Sequence, residues 1–184
     1  MKMSANYRSR RSFQLVYVAI FGALSIVMGN IRVSFPLGSP NLGSTPVSIA
    51  AVTSPGVLAF AVGIIKGLGV SLWTGQFLIE FPAGVGDGIM AFLTSRLSRK
   101  INPIYAVIAG QLTRYVFTSG MIALSLSLTK APIFSTFLSV WLGMVPAITA
   151  SVVANAALSG LAVAALKKFY PVLLEHHKVS KQTP

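Results

Sequence analysis

The feature that most limits the fold is an apolar run with no charged residue between Arg11 and Arg32. The run reaches the roughly 20 residues that a helix needs to cross the hydrocarbon core of a bilayer. Further runs follow, with glycine and alanine scattered through them, which is typical of packed transmembrane helices. Only 10% of the residues are charged, and the mean hydropathy is +0.75, well above that of soluble domains. The sequence therefore predicts an all-α integral membrane protein.

The charge distribution indicates where this protein lies in the membrane. The net charge is +12, which could suggest nucleic acid as a partner. Eleven of the fifteen cations, however, stand at the ends of apolar runs, as the positive-inside rule predicts for cytoplasmic helix ends. We therefore expect a multi-pass protein of the plasma membrane with both termini cytoplasmic. Its surroundings are the lipid bilayer, and nucleic acid is not expected as a partner. The eleven are Lys2, Arg8, Arg10, Arg11, Arg96, Arg99, Lys100, Lys167, Lys168, Lys178 and Lys181.

Prolines, glycines and charges divide the chain into a predicted six-helix transmembrane bundle. A Pro/Gly-rich external loop over 32–46 separates the first span from a short second helix within 46–53, which needs cover from protein because it cannot cross alone. A break at Ser54-Pro55 separates it from the third span. One kinked helix over 47–73 would give five spans. Six spans are preferred because they place all eleven cations on the cytoplasmic side. The other predicted spans are 13–31, 56–72, 83–97, 103–126 and 137–166, the last bent near Pro146.

These spans define three predicted parts. They are a basic cytoplasmic N-terminus (1–12), a six-helix membrane domain (13–168) and a basic cytoplasmic tail (169–184). Such a chain leaves no room for a nucleotide-binding domain and contains no Walker sequence, so coupling to ATP would need another chain. It has no cysteine, and His176 and His177 in the solvated tail are a poor metal site. We expect no metal and no cofactor.

Charged residues inside the apolar runs are the main functional candidates. Glu80 and Asp87 are two of the three acidic residues and stand in one apolar stretch. Arg114 lies about 16 Å from either end of the fifth span, too far to reach water, so it must face the bundle interior, a cavity or a counter-charge. It could contact a ligand or form a structural pair with Glu80 or Asp87. Lys66 could equally contact a ligand or extend to the membrane surface.

Two polar or aromatic residues also have two interpretations each. Trp73 could stack on a flat solute, although tryptophan at a helix end is usually an interfacial anchor. Asn155 is more often an interhelical hydrogen-bond donor than a ligand contact.

Small residues four apart predict close helix packing; they are Ala19 and Ala23 with Gly22 beside them, Gly63 and Gly67, and Gly84 and Gly88.

The order of these features resembles the substrate-binding S component of an energy-coupling factor (ECF) transporter over about residues 10–168. The matching features are the Ala-x-x-x-Ala first helix, the Pro/Gly-rich loop, "SPGVLAFAVGIIKGL" and the Asp-led "GDGIMAF" helix. The resemblance implies a bundle that captures a vitamin or similar micronutrient from outside. It also implies docking through Ala19, Gly22 and Ala23 onto a transmembrane coupling protein that carries two ATPase subunits.

The resemblance further implies a substrate site on the external side. The site would use the first loop, the loop over 73–82 and helices four to six. Glu80 and Asp87 would suit a cation such as thiamine, whereas Arg114 and Lys66 would suit a carboxylate vitamin, so the substrate stays open. The candidate residues, by position, are Arg32, Trp73, Gln76, Glu80, Asp87, Arg114 and Asn155.

Three other functions compete with this interpretation. A stand-alone secondary transporter of small solutes could use Asp87 for proton coupling, although no convincing repeat relates the two halves of the chain. A membrane hydrolase or transferase could use Asp87 and Glu80 as an acid/base pair, but no span contains histidine and the chain has no cysteine. A scaffold without a ligand would leave Arg114 unexplained. We therefore expect no enzyme and no catalytic residue.

Overall fold

The computed structural model describes residues 11–36 and 38–174, which are mainly helical. Four of the helices, α1, α3, α4 and α8, are long and apolar enough to cross a membrane by length and composition. The described part of the chain is therefore all-α and consistent with a membrane bundle. The helices are α1 (Arg11–Gly29), α2 (Ser44–Thr53), α3 (Gly56–Thr74), α4 (Phe77–Leu97), α5 (Pro103–Leu112), α6 (Phe117–Ser127), α7 (Ile133–Gly143) and α8 (Val145–Phe169).

Several predictions for the two ends of the chain lie outside the described residues. They concern most of the predicted terminal parts, 1–12 and 169–184. The side chains concerned are Lys2, Arg8, Arg10, His176, His177, Lys178 and Lys181.

The predicted break between the second and third helices is confirmed. α2 ends at Thr53, Ser54 is extended, and α3 begins at Gly56. Pro55 prevents a continuous helix because it lacks an N–H and forces the preceding residue out of the helical conformation. The ten residues of α2 rise only about 15 Å. Nearly all of them are buried, so other parts of the protein cover this short helix, as a helix too short to cross requires.

Glycines bring α3 and α4 together as the most extensive helix pair. A Cβ built on Gly63 would lie 2.5 Å from the backbone N of Gly88, and one on Gly67 would lie 2.8 Å from the Cα of Gly84. These contacts are backbone against backbone, so they require residues without side chains. The close-packing role predicted for both glycine pairs is confirmed.

The prediction that residues 73–82 form an external loop is wrong. α3 continues to Thr74, and the turn consists of Gly75 and Gln76 alone. Gly75 has a φ of +71°, the left-handed conformation that commonly ends helices. A tight turn of this kind lets the chain reverse at once and begin α4 at Phe77.

The fourth span therefore begins earlier than the predicted residue 83. Pro82 lies inside α4, where its missing N–H removes one helical hydrogen bond. The turn that precedes it is held by the rings of Phe77 and Phe81, which stack at a centroid distance of 5.0 Å, and by packing on α3. Tertiary contacts thus outweigh the local effect of the proline.

The predicted fifth span over 103–126 is not one continuous helix. α5 ends at Leu112, a 3-10 turn covers Thr113–Tyr115, and α6 begins at Phe117. The sequence "TRYVFT" favours this break, since β-branched and aromatic residues are weak helix formers. Side chains hold the turn: the Thr113 hydroxyl donates to the Gly110 carbonyl at 2.7 Å, and Trp141 Nε1 donates to the Tyr115 carbonyl at 2.8 Å.

The last predicted span, 137–166, is divided at Met144 into α7 and α8. Pro146 lies in the first turn of α8, where its fixed φ fits a helix start and no hydrogen bond is lost. The predicted bend is therefore two residues earlier and is a break between two helices.

The segment between α1 and α2, described over residues 30–36 and 38–43, forms a narrow loop. Val33 N donates to the Pro40 carbonyl at 3.0 Å, and Phe35 N donates to the Gly38 carbonyl at 3.1 Å. Asn155 of α8 fastens the loop by donating from Nδ2 to the Asn41 carbonyl at 2.7 Å. We call residues 30–36 and 38–43 the covering loop.

Candidate functional site

Asp87 is the centre of a buried charge cluster. It lies in the middle of α4 with an exposed fraction of 0%. Its Oδ1 accepts hydrogen bonds from Arg114 Nε at 2.8 Å and Thr118 Oγ1 at 2.9 Å. Its Oδ2 accepts from Ser44 Oγ at 2.5 Å and from Lys66 Nζ. One carboxylate therefore connects α2, α3, the 3-10 turn and α6.

The glycines on either side of Asp87 allow this short side chain to reach so many partners. A Cβ on Gly86 would lie 2.5 Å from the Cα of Thr118, and one on Gly88 would lie 3.0 Å from the Phe60 carbonyl. α4 therefore runs close to both α6 and α3 at this point. The sequence "GDG" produces the close approach on which the cluster depends.

Arg114 is held in the cluster by the break between α5 and α6. It is 3% exposed, and its Nη1 donates to Gln111 Oε1 at 3.2 Å and Ser151 Oγ at 2.9 Å. Its Nη2 makes no hydrogen bond to any residue that the structure describes. Arg114 is thus a structural partner of Asp87 that keeps one charged donor group unused by the described part of the chain.

Lys66 is the second cation of the cluster. It is 2% exposed and donates to Ser44 Oγ at 3.0 Å as well as to Asp87. It does not extend to the membrane surface, so that interpretation of Lys66 is wrong. Two cations around one carboxylate leave one positive charge in excess.

Glu80 belongs to a second, separate ion pair. Its Oε1 lies 3.1 Å from Nη1 of Arg32 in the covering loop. Arg32 Nη2 also donates to the Gly29 carbonyl at 3.2 Å and to Asn30 Oδ1 at 3.3 Å. Glu80 lies in the first turn of α4, about 10 Å before Asp87 along the helix. The two acidic residues therefore share no partner: Glu80 faces Arg32, and Asp87 faces Lys66 and Arg114.

A cavity of about 240 Å³ lies between the covering loop, α3, α4, α6 and the start of α8. Its polar lining includes Lys66, Gln76, Glu80 and Arg114. Its apolar lining includes side chains such as Ile79, Ile122, Met144 and Ile148. The cavity thus offers both charged and apolar contacts to a small solute.

The remaining predicted residues occupy different places. Asp87 does not line the cavity but contacts Lys66 and Arg114, which do. Arg32 likewise contacts a lining residue, Glu80, without lining the cavity itself. Asn155 is buried and supports the covering loop, and its Oδ1 accepts from Thr45 Oγ1 at 2.9 Å. Trp73 is 76% exposed and does not line the cavity, a position that agrees with an interfacial anchor.

Sequence reasoning missed the hydroxyl groups of the site. Ser44, Thr118 and Ser151 each bond to a charged side chain of the cluster. A signal existed in part, because Ser151 and Asn155 stand four residues apart on one face of an apolar helix. The pairing of such groups in three dimensions depends on the rotation of each helix, which the spacing alone does not give.

The three residues of α1 that were predicted to bind a partner differ in their exposure. Ala19 and Ala23 are exposed. Gly22 is buried, and a Cβ built on it would lie 2.6 Å from Ile65 Cγ2 of α3. Gly22 thus packs inside the chain, and the two alanines form the exposed small-residue patch.

The chemistry available at the site is binding by charge and hydrogen bonds. Both carboxylates are held by cations. Within residues 11–36 and 38–174, no group of three or more His, Cys, Asp or Glu residues is placed to hold a metal ion. The arrangement provides fixed charged donors beside a partly apolar cavity.

Comparison with known proteins identifies the fold. No protein-family model and no curated protein matches the sequence. The structure is similar to the solved S component of a bacterial ECF transporter, with a TM-score of 0.67 and 14% sequence identity, over 87% of this chain and 98% of that chain. The resemblance seen in the sequence is therefore confirmed as a likeness of fold across most of both chains.

Proposed function

We propose that this chain is the membrane-embedded substrate-binding subunit of an ECF-type importer that takes up a water-soluble vitamin or related micronutrient. The observation that carries the proposal is the cavity beside the Asp87 cluster, in a chain with the fold of an S component. ATP hydrolysis is supplied by a transmembrane coupling protein and two ATPase subunits. The protein catalyses no reaction of its own.

The proposed topology places six crossings in the plasma membrane, with both termini in the cytoplasm, and the short α2 makes the second crossing only together with the loop that precedes it. α5 and α6 together form the fifth crossing, and the break at Arg114 lies near its middle. Irregular backbone at membrane depth is tolerated where it borders a cavity or is covered by protein, and transporters place binding groups at such breaks. The covering loop then lies at the external mouth of the cavity.

The energetic cost of the cluster supports a functional role. Buried ions cost several kcal/mol each in desolvation, and apolar residues of similar volume often give equal or greater stability. Ionisable groups inside membrane segments commonly mark solute pathways. A cluster of Asp87, Lys66 and Arg114, buried beside a cavity, is therefore better explained by solute binding than by stability.

The first prediction tests assembly with an ECF module and needs no knowledge of the solute. Because Ala19 and Ala23 are exposed, we expect Ala19→Leu/Ala23→Leu to fold normally but to lose at least tenfold in co-purification with co-expressed coupling and ATPase subunits. Bulky side chains there separate the two helix surfaces. The control is Leu24→Phe, an exposed position of the same helix that lies about 100° around the helix from Ala23, and it keeps the complex.

If wild type forms no complex with these subunits, the proposed function fails and a stand-alone carrier is favoured. If the double variant binds them as well as wild type, the docking face lies elsewhere.

The second prediction concerns the ion pair between the covering loop and α4. Arg32→Gln removes the ion pair with Glu80, whose side chain is 7% exposed against 19% for Arg32. Breaking a largely buried pair costs more than breaking a surface pair, so we expect about fivefold or more faster hydrogen exchange of the amides in residues 33–36 and 38–42, with a lower Tm. The control, Lys130→Gln, changes an exposed cation and leaves this exchange unchanged. Equal exchange in Arg32→Gln and wild type would show that the pair does not hold the loop.

A further inference from the structure

The charges around the cavity do not balance. Asp87 compensates only one of its two cationic neighbours, Lys66 and Arg114, while Glu80 is already paired with Arg32. One positive charge is therefore left over beside the cavity. A buried net charge is unfavourable in a membrane protein unless a counter-charge approaches it.

The acceptor atoms of Asp87 are occupied. Each of its two oxygens accepts two hydrogen bonds from described side chains, which uses about all of its lone-pair sites. Asp87 therefore has no acceptor left for a cationic solute. This occupancy argues against a cation as the main ligand.

Donor groups, in contrast, remain unused. Arg114 lines the cavity, is 3% exposed and bonds through Nε and Nη1, while its Nη2 has no partner among the described residues. Lys66 also lines the cavity and bonds to two described groups, although an ammonium carries three donors. A buried charged donor without a partner requires an acceptor, and here the cavity is where one fits.

We propose that the cavity takes a small monoanionic solute whose carboxylate is bound by Arg114 and Lys66. One carboxylate balances the excess charge, whereas a phosphate ester of higher charge overcompensates it. Hydrogen bonds from a charged donor to a carboxylate are short and strong, and Arg114 Nη2 supplies such a donor. The apolar side chains of Ile79, Ile122 and Ile148 in the cavity lining contact the body of the solute.

The size of the cavity sets a further limit. Its volume of about 240 Å³ lies below the roughly 300–1,000 Å³ of common ligand pockets. The solute is therefore a compact acid rather than a large nucleotide-like molecule. This inference rests on the proposed function only in taking the cavity as the solute site.

The test uses simple probes on the purified full chain in detergent. Benzoate and butyrate are compared with benzamide, butyramide, butylammonium and inorganic phosphate at equal concentration and constant ionic strength. We expect the carboxylates to raise Tm by about 2–4 °C, and the amides, the ammonium and phosphate to raise it less. An equal or larger rise in Tm with either amide, with butylammonium or with phosphate overturns the inference.

Variants then locate the effect. Lys66→Gln and Arg114→Gln each leave Asp87 with one cation, so the cluster stays balanced and we expect both to fold and to lose the carboxylate shift. Lys130→Gln removes an exposed cation elsewhere, and we expect this variant to keep the carboxylate shift in Tm. A shift that persists in both cluster variants overturns the proposal, and if one of them does not fold, the other decides. Assembly with an ECF module is a separate measurement, so the two proposals can fail independently.

Discussion

Asp87→Asn is expected to lower the free energy of unfolding by about 3–5 kcal/mol, because it leaves two buried cations without a counter-charge. Asparagine keeps the shape of the side chain, but its NH₂ group is a donor where Asp87 only accepts. Lys66 Nζ and Arg114 Nε would lose their shared acceptor. The measurement is thermal unfolding in mild detergent, supported by the monodisperse fraction in gel filtration.

Two further variants separate charge from packing at this position. Glu80→Gln makes the same acid-to-amide change beside a single cation, Arg32, which is 19% exposed, so we expect it to cost less than Asp87→Asn, which leaves two buried cations without a counter-charge. Lys66→Met combined with Asp87→Asn restores the wild-type excess of one positive charge and should recover part of the loss. An Asp87→Asn protein as stable as Glu80→Gln would contradict a charge cluster centred on Asp87.

Gly84→Ala is expected to destabilise the protein by about 3 kcal/mol, at the upper end of typical overpacking costs. The added methyl would overlap the Cα of Gly67, and backbone cannot move aside as a flexible side chain can. Separation of α3 from α4 would also pull Lys66 away from Asp87, since these residues lie on the two helices. Both Tm and the carboxylate shift should therefore fall.

The matched control is Gly160→Ala in α8, where an added Cβ meets no atom within 4 Å. It should be neutral or stabilising by up to about 1 kcal/mol, because alanine is the better helix former. If Gly84→Ala is as stable as Gly160→Ala, the two helices are farther apart than the structure places them.

The sequence predicts those parts of the fold that local chemistry determines. The break at Ser54-Pro55 follows from proline, and the close packing of α3 on α4 follows from glycines four residues apart. The start of α4 is different, because Pro82 suggests a later beginning and only packing of the preceding turn on α3 overrules it. The interruption at Thr113–Tyr115 likewise depends on Trp141, which is distant in sequence.

The candidate site is predictable to a similar degree. The distance of Arg114 from both ends of its span is enough to place it in the interior, and its burial at 3% exposure agrees. The pairing of Arg114 with Asp87 rather than with Glu80 is not predictable, because the pairing depends on the rotation of α4 and on the position of Arg32. For the same reason the excess of one positive charge, which argues for an anionic solute, emerges only from the contacts.

The most direct test of the central claim is native mass spectrometry of the wild-type protein, purified in mild detergent from cells grown in rich medium. We predict a stoichiometric adduct with the mass of a compact, carboxylate-bearing vitamin or related micronutrient. The adduct should be lost in Lys66→Gln and kept in Lys130→Gln. Wild-type protein that remains bare, even after incubation with a mixture of water-soluble vitamins, would contradict the assignment of this cavity as the substrate site of an importer.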